Sequence, residues 1–212
     1  MVSLAFATTG RLARGIVLNA ARIEVRRLTS EDAAAYREIR LAGLRDCPEA
    51  FGSTFGRESA QPLTWFCDRL RASQVFGAFR STALLGVAGL AIREGEKERH
   101  KGLLWGMYVR PDIRNAGVGR QLVEAVIDCA RDHVEVIQLS VVKGNERARR
   151  LYAGLGFVEY GVEKNSLKQD GRYYDEILMA LDLREKHDAD AHMHRLDSTH
   201  CEEHSSATIA IT

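Results

Sequence analysis

The chain lacks the features that mark several common classes of protein. Its 30 basic and 29 acidic side chains leave a net charge of +1, so no charge excess favours nucleic acid or an anionic membrane as a partner. No apolar run approaches the roughly 20 residues that a membrane-spanning helix needs. No internal repeat is present. With 45% hydrophobic residues among 212, the chain is predicted to form a single soluble domain with a sizeable core.

The cysteines show neither metal-site nor disulfide spacing. The chain has four, with no CxxC pair, and Cys129 lies on the apolar stripe of a predicted helix. Reduced thiols are typical of cytoplasmic proteins, and we predict that location. The four are Cys47, Cys67, Cys129 and Cys201.

Both ends of the chain lack the pattern of a folded domain. Residues 1–21 contain no acid and no clear apolar stretch with a cleavage site, so we predict a flexible leader there and a domain over residues 22–183. In residues 184–212 large apolar side chains are rare, and we predict a disordered tail. Five of the seven histidines lie in this tail, but no surrounding structure would fix their geometry, so we predict no metal site. They are His187, His192, His194, His200 and His204.

A glycine-bearing turn is the most informative feature of the sequence. It follows an apolar run at residues 103–109 and opens the amphipathic segment 118–130. The first N–H groups of a helix have no internal partner, and the helix dipole makes that end partly positive. Gly117 and Gly119 carry no Cβ, so the main chain can approach an anion closely. The turn reads Arg114-Asn115-Ala116-Gly117-Val118-Gly119.

The spacing of this turn separates three kinds of phosphate site. A P-loop needs lysine and a hydroxyl after its last glycine, whereas Arg120 and Gln121 follow here. A dinucleotide fingerprint needs a third glycine where Leu122 stands. The pattern Arg/Gln-x-x-Gly-x-Gly/Ala fits all its fixed positions, and Arg114 and Arg120 are predicted to add positive charge at the same place.

The neighbouring segments strengthen this interpretation. The strand before the turn ends at Pro111, and residues 137–142 read as a second buried strand. Asn145 then caps a helix whose apolar stripe includes Tyr152, and Gly156 occupies a left-handed position after it. The other predicted helices span residues 30–45 and 63–71, and the other strands span 23–28, 75–79, 83–92, 158–162 and 173–183, with Asp170-Gly171 as a hairpin turn.

At this point the chain resembles the GNAT superfamily of acyl-CoA-dependent N-acetyltransferases. The similarity lies in V-x-P-x-x-R-x-x-G-x-G, at residues 109–119, and in N-x-x-A-x-x-L-Y-x-x-x-G-F, at residues 145–157. It extends over residues 22–183. The resemblance implies an α/β (α+β) single-domain fold, with a mixed, mostly antiparallel sheet of about six to seven strands. The sheet would be splayed between its fourth and fifth strands and flanked by about four helices.

The resemblance also implies acetyl-CoA as co-substrate and assigns residues to it. Main-chain groups of Met107 and Val109 would pair with the pantetheine amides in the splayed slot, because unpaired backbone groups at a sheet edge must bond something. The full predicted cofactor set is Met107, Tyr108, Val109, Arg114, Asn115, Ala116, Gly117, Val118, Gly119, Arg120, Asn145 and Tyr152.

Tyr152 is the predicted catalytic residue. A phenol with an ordinary pKa of about 10 can protonate a departing thiolate without being ionised at neutral pH. The general base is left open, because Leu103 and Ser140 stand where relatives often carry glutamate. The candidates are Tyr173, Asp175, Glu176, His100 and a water relay.

The leading hypothesis is a cytoplasmic N-acetyltransferase that uses direct attack by a primary amine in a ternary complex. The acceptor is a small molecule, an amino acid or a peptide or protein N-terminus, and residues 51–66 and 165–174 are predicted to wall its site. A non-catalytic acyl-CoA-binding module and a nucleotide-dependent enzyme are the alternatives. We predict no nucleic acid or membrane partner, and a possible homodimer through an exposed sheet edge.

Overall fold

A seven-stranded sheet organises the chain in the computed structural model, which describes residues 22–184. The predicted leader, residues 1–21, and the tail beyond residue 184 lie outside the described residues. The strands are β1 (Glu24–Arg27), β2 (Gln74–Arg80), β3 (Ala83–Ile92), β4 (Lys101–Val109), β5 (Val136–Val142), β6 (Val158–Gln169) and β7 (Arg172–Asp182). The helices are α1 (Ala33–Asp46), α2 (Phe55–Ser59), α3 (Leu63–Ala72), α4 (Val118–Arg131) and α5 (Glu146–Ala153).

The sheet has the order β1-β2-β3-β4-β5-β7-β6, and only β4 and β5 run parallel within it. Their pairing covers three positions, Lys101 with Val136, Gly102 with Ile137 and Leu103 with Gln138. Beyond these positions the two strands part. The predicted mixed, mostly antiparallel sheet, splayed between its fourth and fifth strands, is therefore confirmed.

Two elements differ from the sequence prediction. The five-residue helix α2 lies in the aromatic connection after α1, and Thr54 caps it by accepting a hydrogen bond from the Arg57 N–H at 3.3 Å. A helix this short has too few residues for a periodic apolar stripe, so the sequence pattern missed it. Strand β6 runs seven residues past its predicted end at Val162, because β7 pairs with it as far as Gln169.

The connecting turns follow local chemistry. Asp170 and Gly171 join β6 to β7 with φ of 48° and 79°, as a two-residue hairpin of type I′ requires. Ser81 also has a positive φ, 54°, between β2 and β3. Gly156, after α5, has φ of 93°, so the predicted left-handed position is confirmed.

Apolar side chains fill both faces of the sheet. On one face α4 packs over the sheet, and Leu122, Val126 and Ile137 are fully buried there. On the other face α1 and α3 bury Tyr36 and Phe66 against β2, β3 and β4. The two layers leave the splayed part of the sheet as the place where a ligand can enter between strands.

A buried ion pair joins the three helices on the second face. Glu58 of α2, 1% exposed, accepts hydrogen bonds from Arg40 Nε at 2.9 Å and Arg40 Nη2 at 2.8 Å. Arg69 Nη1 of α3 lies 3.3 Å from the same carboxylate. Burial opposes ionisation of Glu58, but the hydrogen bonds and charge of Arg40 prevail and lower the pKa of this carboxyl.

Replacing Glu58 by glutamine tests this ion pair. We expect E58Q to lose about 3–5 kcal/mol of the free energy of unfolding at pH 7, because Arg40 stays buried without a counter-charge. The control E38Q removes an exposed partner of Arg110 and is expected to cost at most about 1 kcal/mol. Urea denaturation of both variants measures the difference.

The same carboxyl gives the stability a pH dependence with a definite sign. Since the folded-state pKa of Glu58 is lowered, its stabilisation is complete above the unfolded value of about 4.3 and is lost as pH falls through the folded value. The gap between wild type and E58Q is therefore expected to narrow below about pH 4. Equal stability of the two proteins at pH 7 would contradict this account of the ion pair.

Candidate functional site

A cleft of about 720 Å³ opens where β4 and β5 part. One side is formed by the end of β4 and the turn into α4, and the facing side by the β5–α5 connection and α5 itself. Residues from 47–51, together with Arg172 and Tyr174, border the cleft as well. It therefore passes between the strands and reaches from the start of α4 to the segment that follows α1.

The main chain of β4 faces this cleft. The Arg110 N–H donates to the Leu85 carbonyl of β3 at 2.9 Å. Because hydrogen-bonding directions alternate along an antiparallel strand, the N–H and C=O of Val109 point away from β3 and into the cleft. The Val109 carbonyl accepts a hydrogen bond from Arg114 Nε at 3.0 Å. The Val109 N–H, which also points into the cleft, does not share that contact.

A β-bulge reorients β4 just before this point. Tyr108 pairs with Val87 and Trp105 with Gly89, so two residues of β4 oppose one of β3. Gly106, inside the bulge, has φ of +66°, which a residue with a Cβ adopts only with strain. The sequence prediction gave a regular strand here and missed the bulge, although Gly106 in a strand pattern is its signal.

Tyr108 borders the cleft, and its hydroxyl is engaged by a neighbouring carboxylate. The hydroxyl donates to Asp46 of α1, and the ring packs on Gly43. Burial and the Asp46 carboxylate both raise the pKa of Tyr108. The side chain thus fixes the end of α1 against β4.

The N-terminus of α4 opens into the cleft as an anion site would. Gly117, its N-cap, has φ of 78°, and no side chain makes a capping hydrogen bond there. The first-turn amides of α4 are therefore unoccupied by a side-chain cap. Gly119 packs closely against β4, because a Cβ at this position would lie 3.1 Å from Met107 Cε. Asn115 borders the cleft, whereas Ala116 is exposed beside it.

Basic side chains predominate among the charged residues that line the cleft. Arg120 is held by Glu124, 2.8 Å from its Nε, and Arg114 by the Val109 carbonyl, so both predicted arginines are already engaged. Sequence reasoning missed three further cations that line the cleft, Lys143, Arg147 and Arg172. Of the carboxylates in the described part of the chain, Glu49 is the one among the lining residues. The potential in the cleft is therefore positive.

Helix α5 places Asn145 and Tyr152 on the facing side. The Asn145 side-chain oxygen accepts the Ala148 N–H at 3.2 Å, which confirms the predicted cap. The Tyr152 ring meets Phe157 edge-on at 5.8 Å and is 5% exposed at the cleft. Burial raises the pKa of Tyr152, and within residues 22–184 its hydroxyl has no hydrogen-bond partner. It stays protonated at neutral pH.

None of the four predicted base residues lines the cleft. Glu176 accepts hydrogen bonds from Ser140 at 2.7 Å and Ser166 at 2.6 Å, beside the cleft residue Val142. Asp175 is paired with Lys164, and that contact lowers the pKa of the carboxyl.

The other two base candidates are also set apart from the cleft. Tyr173 is 55% exposed on β7, and His100 precedes the far end of β4. Glu49, which does line the cleft, follows Pro48 in a 3₁₀ turn. No sequence signal marks Glu49 as functional, because tertiary packing alone brings it to the cleft.

Neither a metal centre nor a membrane segment is found in the described range. Across residues 22–184, no three His, Cys, Asp or Glu side chains are grouped to hold a metal ion. Over the same residues, no helix has the length and apolar character to cross a bilayer. The described cysteines, Cys47, Cys67 and Cys129, are free thiols. The histidines and Cys201 of the tail lie outside the described residues.

Comparison with known families matches the central part of the chain. The acetyltransferase (GNAT) family matches residues 40–157, more than half of the chain. The L-amino acid N-acyltransferase MnaT of Escherichia coli is 33% identical over 86 residues, 40% of this chain and 50% of that protein. The ribosomal protein bS18-alanine N-acetyltransferase of Salmonella typhimurium is 35% identical over 81 residues, 38% of this chain and 55% of that protein. The chain spans about half the length of these curated relatives.

Solved structures share the fold over most of their length. A GNAT acetyltransferase from Streptococcus pneumoniae has a TM-score of 0.67 at 22% identity, over 76% of this chain and 99% of that one. A ribosomal-protein-alanine N-acetyltransferase from Brucella melitensis has a TM-score of 0.64 at 25% identity, over 75% and 99%. The putative acetyltransferase yncA of Salmonella typhimurium, described with its cofactor acetyl-CoA, has a TM-score of 0.65 at 23% identity, over 78% and 95%.

Substitution of Gly117 tests the open helix N-terminus. A Cβ there meets only Gln121 Nε2 at 4.0 Å, so G117A is expected to act through its positive φ and to cost about 1–2 kcal/mol of stability. We also expect weaker binding of coenzyme A, because the first-turn amides shift. The control G52A, at an open position, should change stability by less than about 0.5 kcal/mol. Urea denaturation and calorimetry measure both effects; an unchanged affinity in G117A would argue against anion binding at these amides.

Proposed function

The chain belongs to the acetyltransferase (GNAT) family, and we propose that it is an N-acetyltransferase that moves an acetyl group from acetyl-CoA to a primary amine. The observation that carries the proposal is the cleft itself. Cleft-facing main chain of β4 and the open N-terminus of α4 lie along one continuous groove. A long thioester with an anionic end fits a groove of this kind.

The two ends of the groove suit the two ends of the cofactor. The pyrophosphate would bind the first-turn amides of α4 at Gly117 and Gly119, with positive charge from Lys143 and Arg147 nearby. The pantetheine arm would pair with the main chain of Met107 and Val109 in place of the absent β5 partner. The arm then runs toward the point where β4 and β5 rejoin, so the reacting end lies near the β4 bulge.

Each step of the transfer has a residue that supports it. Acetyl-CoA supplies the thioester whose carbonyl carbon the amine attacks. A β4 N–H aimed into the cleft would stabilise the charge on the carbonyl oxygen, a contribution of about 2.7–4 kcal/mol for one buried donor. As the C–N bond forms and the C–S bond breaks, the Tyr152 hydroxyl donates its proton to the departing sulfur.

We assign removal of the amine proton to Glu49, the one acid among the described residues that line the cleft. Its segment follows α1 and packs near β5 and β6. A water relay is the alternative for this step. The second function considered is a non-catalytic acyl-CoA-binding module. It is favoured by Leu103 and Ser140, because they stand where relatives often carry a glutamate base. The presence of Glu49 at the cleft counts against it.

The acceptor class is also proposed from the relatives. One similar protein is named for L-amino acids and another for a ribosomal protein alanine, so an amino acid or a protein N-terminus is the class we propose. Free thiols at the described cysteines are compatible with a cytoplasmic enzyme. Dimerisation through the exposed edge strand β6 stays a prediction.

Replacing Tyr152 by phenylalanine tests the proposed acid. We expect kcat to fall about 10²–10⁴-fold, because the departing thiolate loses its proton donor. The dissociation constant of acetyl-CoA should stay close to that of the wild type, since the ring remains. Thiol release with a panel of amines and calorimetry with acetyl-CoA separate the two effects. Cofactor binding without turnover of any amine by the wild type would support the module instead.

The pH profile follows from the same burial. Since the pKa of Tyr152 is raised, the hydroxyl stays protonated and should add no alkaline limb to kcat up to about pH 9.5. A fall in wild-type kcat below that pH, absent in Y152F, would contradict this assignment.

Replacing Glu49 by glutamine tests the proposed base. We expect kcat/KM to fall about 10²-fold at pH 7, because the amine proton loses its acceptor. The control E96Q changes an exposed acid in the β3–β4 connection and should behave as wild type. Wild-type activity of E49Q would favour the water relay.

A further inference from the structure

Four of the five side-chain donors that are buried without a hydrogen-bond partner in the described residues are grouped near the Arg40–Glu58–Arg69 ion pair, on the α1 and α3 side of β4. They belong to Tyr36, Arg40, Arg69 and Trp105, and we refer to them as the donor cluster. The Tyr36 hydroxyl, Arg40 Nη1, Arg69 Nη1 and Trp105 Nε1 are all buried without a hydrogen-bond partner in the described part of the chain. Arg69 joins the group by stacking on the Trp105 ring, 4.6 Å from its centroid. A buried donor without an acceptor costs free energy, so four together indicate a missing acceptor.

The nearby carboxylate has at most one acceptor position left, which is too few for these four donors. Glu58 already accepts Arg40 Nε and Nη2, and a hydrogen bond from Ser53 contributes to the low pKa of its carboxyl. Arg69 Nη1 lies within ion-pair distance of Glu58, at 3.3 Å, but makes no hydrogen bond. The second acceptor must therefore come from outside this group of residues.

The charge of the cluster specifies the kind of acceptor. Arg40 is 5% exposed and Glu58 1% exposed, whereas the Arg69 side chain is 25% exposed, so two guanidinium groups face one carboxylate in a site that is buried at Arg40 and half-buried at Arg69. Arg37 adds a further positive charge beside them, with its Nη2 donating to the Ser59 carbonyl at 3.0 Å. Buried charge without compensation is costly, and an anion with several acceptor lone pairs offsets it. A carboxylate has that charge and geometry.

The donor cluster adjoins the reacting end of the proposed cofactor groove. Arg40 Nη1 lies 3.7 Å from the position that a Cβ on Gly106 would occupy, within the β4 bulge. The Arg40 guanidinium also stacks on Phe51, 4.8 Å from its centroid, and Phe51 lines the cleft. Gly106 precedes Met107, so the donors lie next to the main chain that would hold the acetyl end.

From this placement we propose that the acceptor is a free amino acid, and that the donor cluster binds its α-carboxylate. The inference rests on the proposed acetyltransferase function and specifies its acceptor. In an α-amino acid, one carbon separates the amine from the carboxylate, a distance of about 2.5 Å. A carboxylate at Arg40 Nη1 thus puts the amine beside the β4 bulge. A protein N-terminus carries an amide there and leaves the positive charge unmatched.

The packing around Trp105 maintains the cluster without a ligand. A Cβ on Gly89 would lie 2.6 Å from the indole, so the glycine leaves the ring its place against β3. Trp65 also contacts the Arg69 guanidinium, whose central carbon lies 4.8 Å from the centroid of the Trp65 ring. The donors are therefore held by the fold before any acceptor binds, which favours binding by pre-organisation.

Two conservative variants test the cluster without breaking the ion pair. Y36F removes only a hydroxyl that lacks a partner, and W105F removes the indole N–H. The control Y160F changes a tyrosine hydroxyl on the edge strand β6, whose ring is 54% exposed. Initial rates are measured for the twenty L-amino acids and for their carboxamides, with acetyl-CoA saturating.

We expect the wild type to favour the free acid of its best substrate over the carboxamide by about 10²-fold in kcat/KM. Y36F and W105F should raise KM for the acid about 10-fold, the typical effect of losing one hydrogen bond to a charged group, with kcat little changed. Both should leave the carboxamide within twofold, and Y160F should match the wild type. Equal rates for acids and carboxamides, or an equal loss of both in the variants, would overturn the proposal.

A binding assay separates this inference from the function beneath it. The chain has two tryptophans: Trp105 belongs to the donor cluster, and Trp65 contacts its member Arg69. Their fluorescence should therefore report titration with N-acetyl-L-amino acids. Two results together would support the carboxylate site even if no amine is acetylated. The Y36F variant should bind the N-acetyl-L-amino acids more weakly than the wild type, and the corresponding N-acetyl carboxamides should not bind. If the enzyme acetylates peptides or carboxamides as fast as free amino acids, the proposed acetyltransferase function stands. The donor cluster is then rejected as the site that binds the acceptor.

Discussion

The parting of β4 from β5 is the constraint on which the rest of the structure depends. Parallel pairing stops at Leu103 and Gln138, and the following residues of β4 have a strand on one side only. A buried main chain cannot keep its N–H and C=O groups unpaired, so these residues need a partner that is not a strand of the sheet. The protein meets part of this need itself, since Arg114 occupies the Val109 carbonyl, and the proposed cofactor would meet the remainder.

Local chemistry made much of this fold predictable from sequence. Asp170-Gly171 specifies its turn, Asn145 caps α5, and Gly117 takes the positive φ that begins α4, because each depends on neighbours within a few residues. The splay was expected because two signatures of the chain resemble those of the GNAT superfamily. Periodicity alone did not predict it. The bulge at Gly106 was not predicted, although the glycine is a signal for one. A bulge is a shift in pairing register, and that register is defined only by the partner strand β3.

Residues brought together by packing were not predictable in the same way. Glu49 and Lys143 reach the cleft from separate connections and Arg172 from the start of β7, and no spacing in the sequence relates them. The same holds for Arg40 and Glu58, which are 18 positions apart on different helices. Three of the base candidates chosen from the sequence, Tyr173, Asp175 and Glu176, lay on the expected last strand, yet Glu176 points to Ser140 and Ser166 and not into the cleft.

The arrangement of charge connects stability with specificity. Cations at the α4 end of the cleft are exposed and suit phosphates, which bring their own hydration and screening. Beside the other end, Arg40 is buried and Arg69 is half-buried against aromatic rings, where an unmatched charge is costly. Glu58 matches one of these charges and fastens α1 to α2, so the fold is held while one positive charge stays uncompensated. A site built in this way gains more from a small anion than from a neutral amide, because only the anion completes the pairing that the helices leave unfinished.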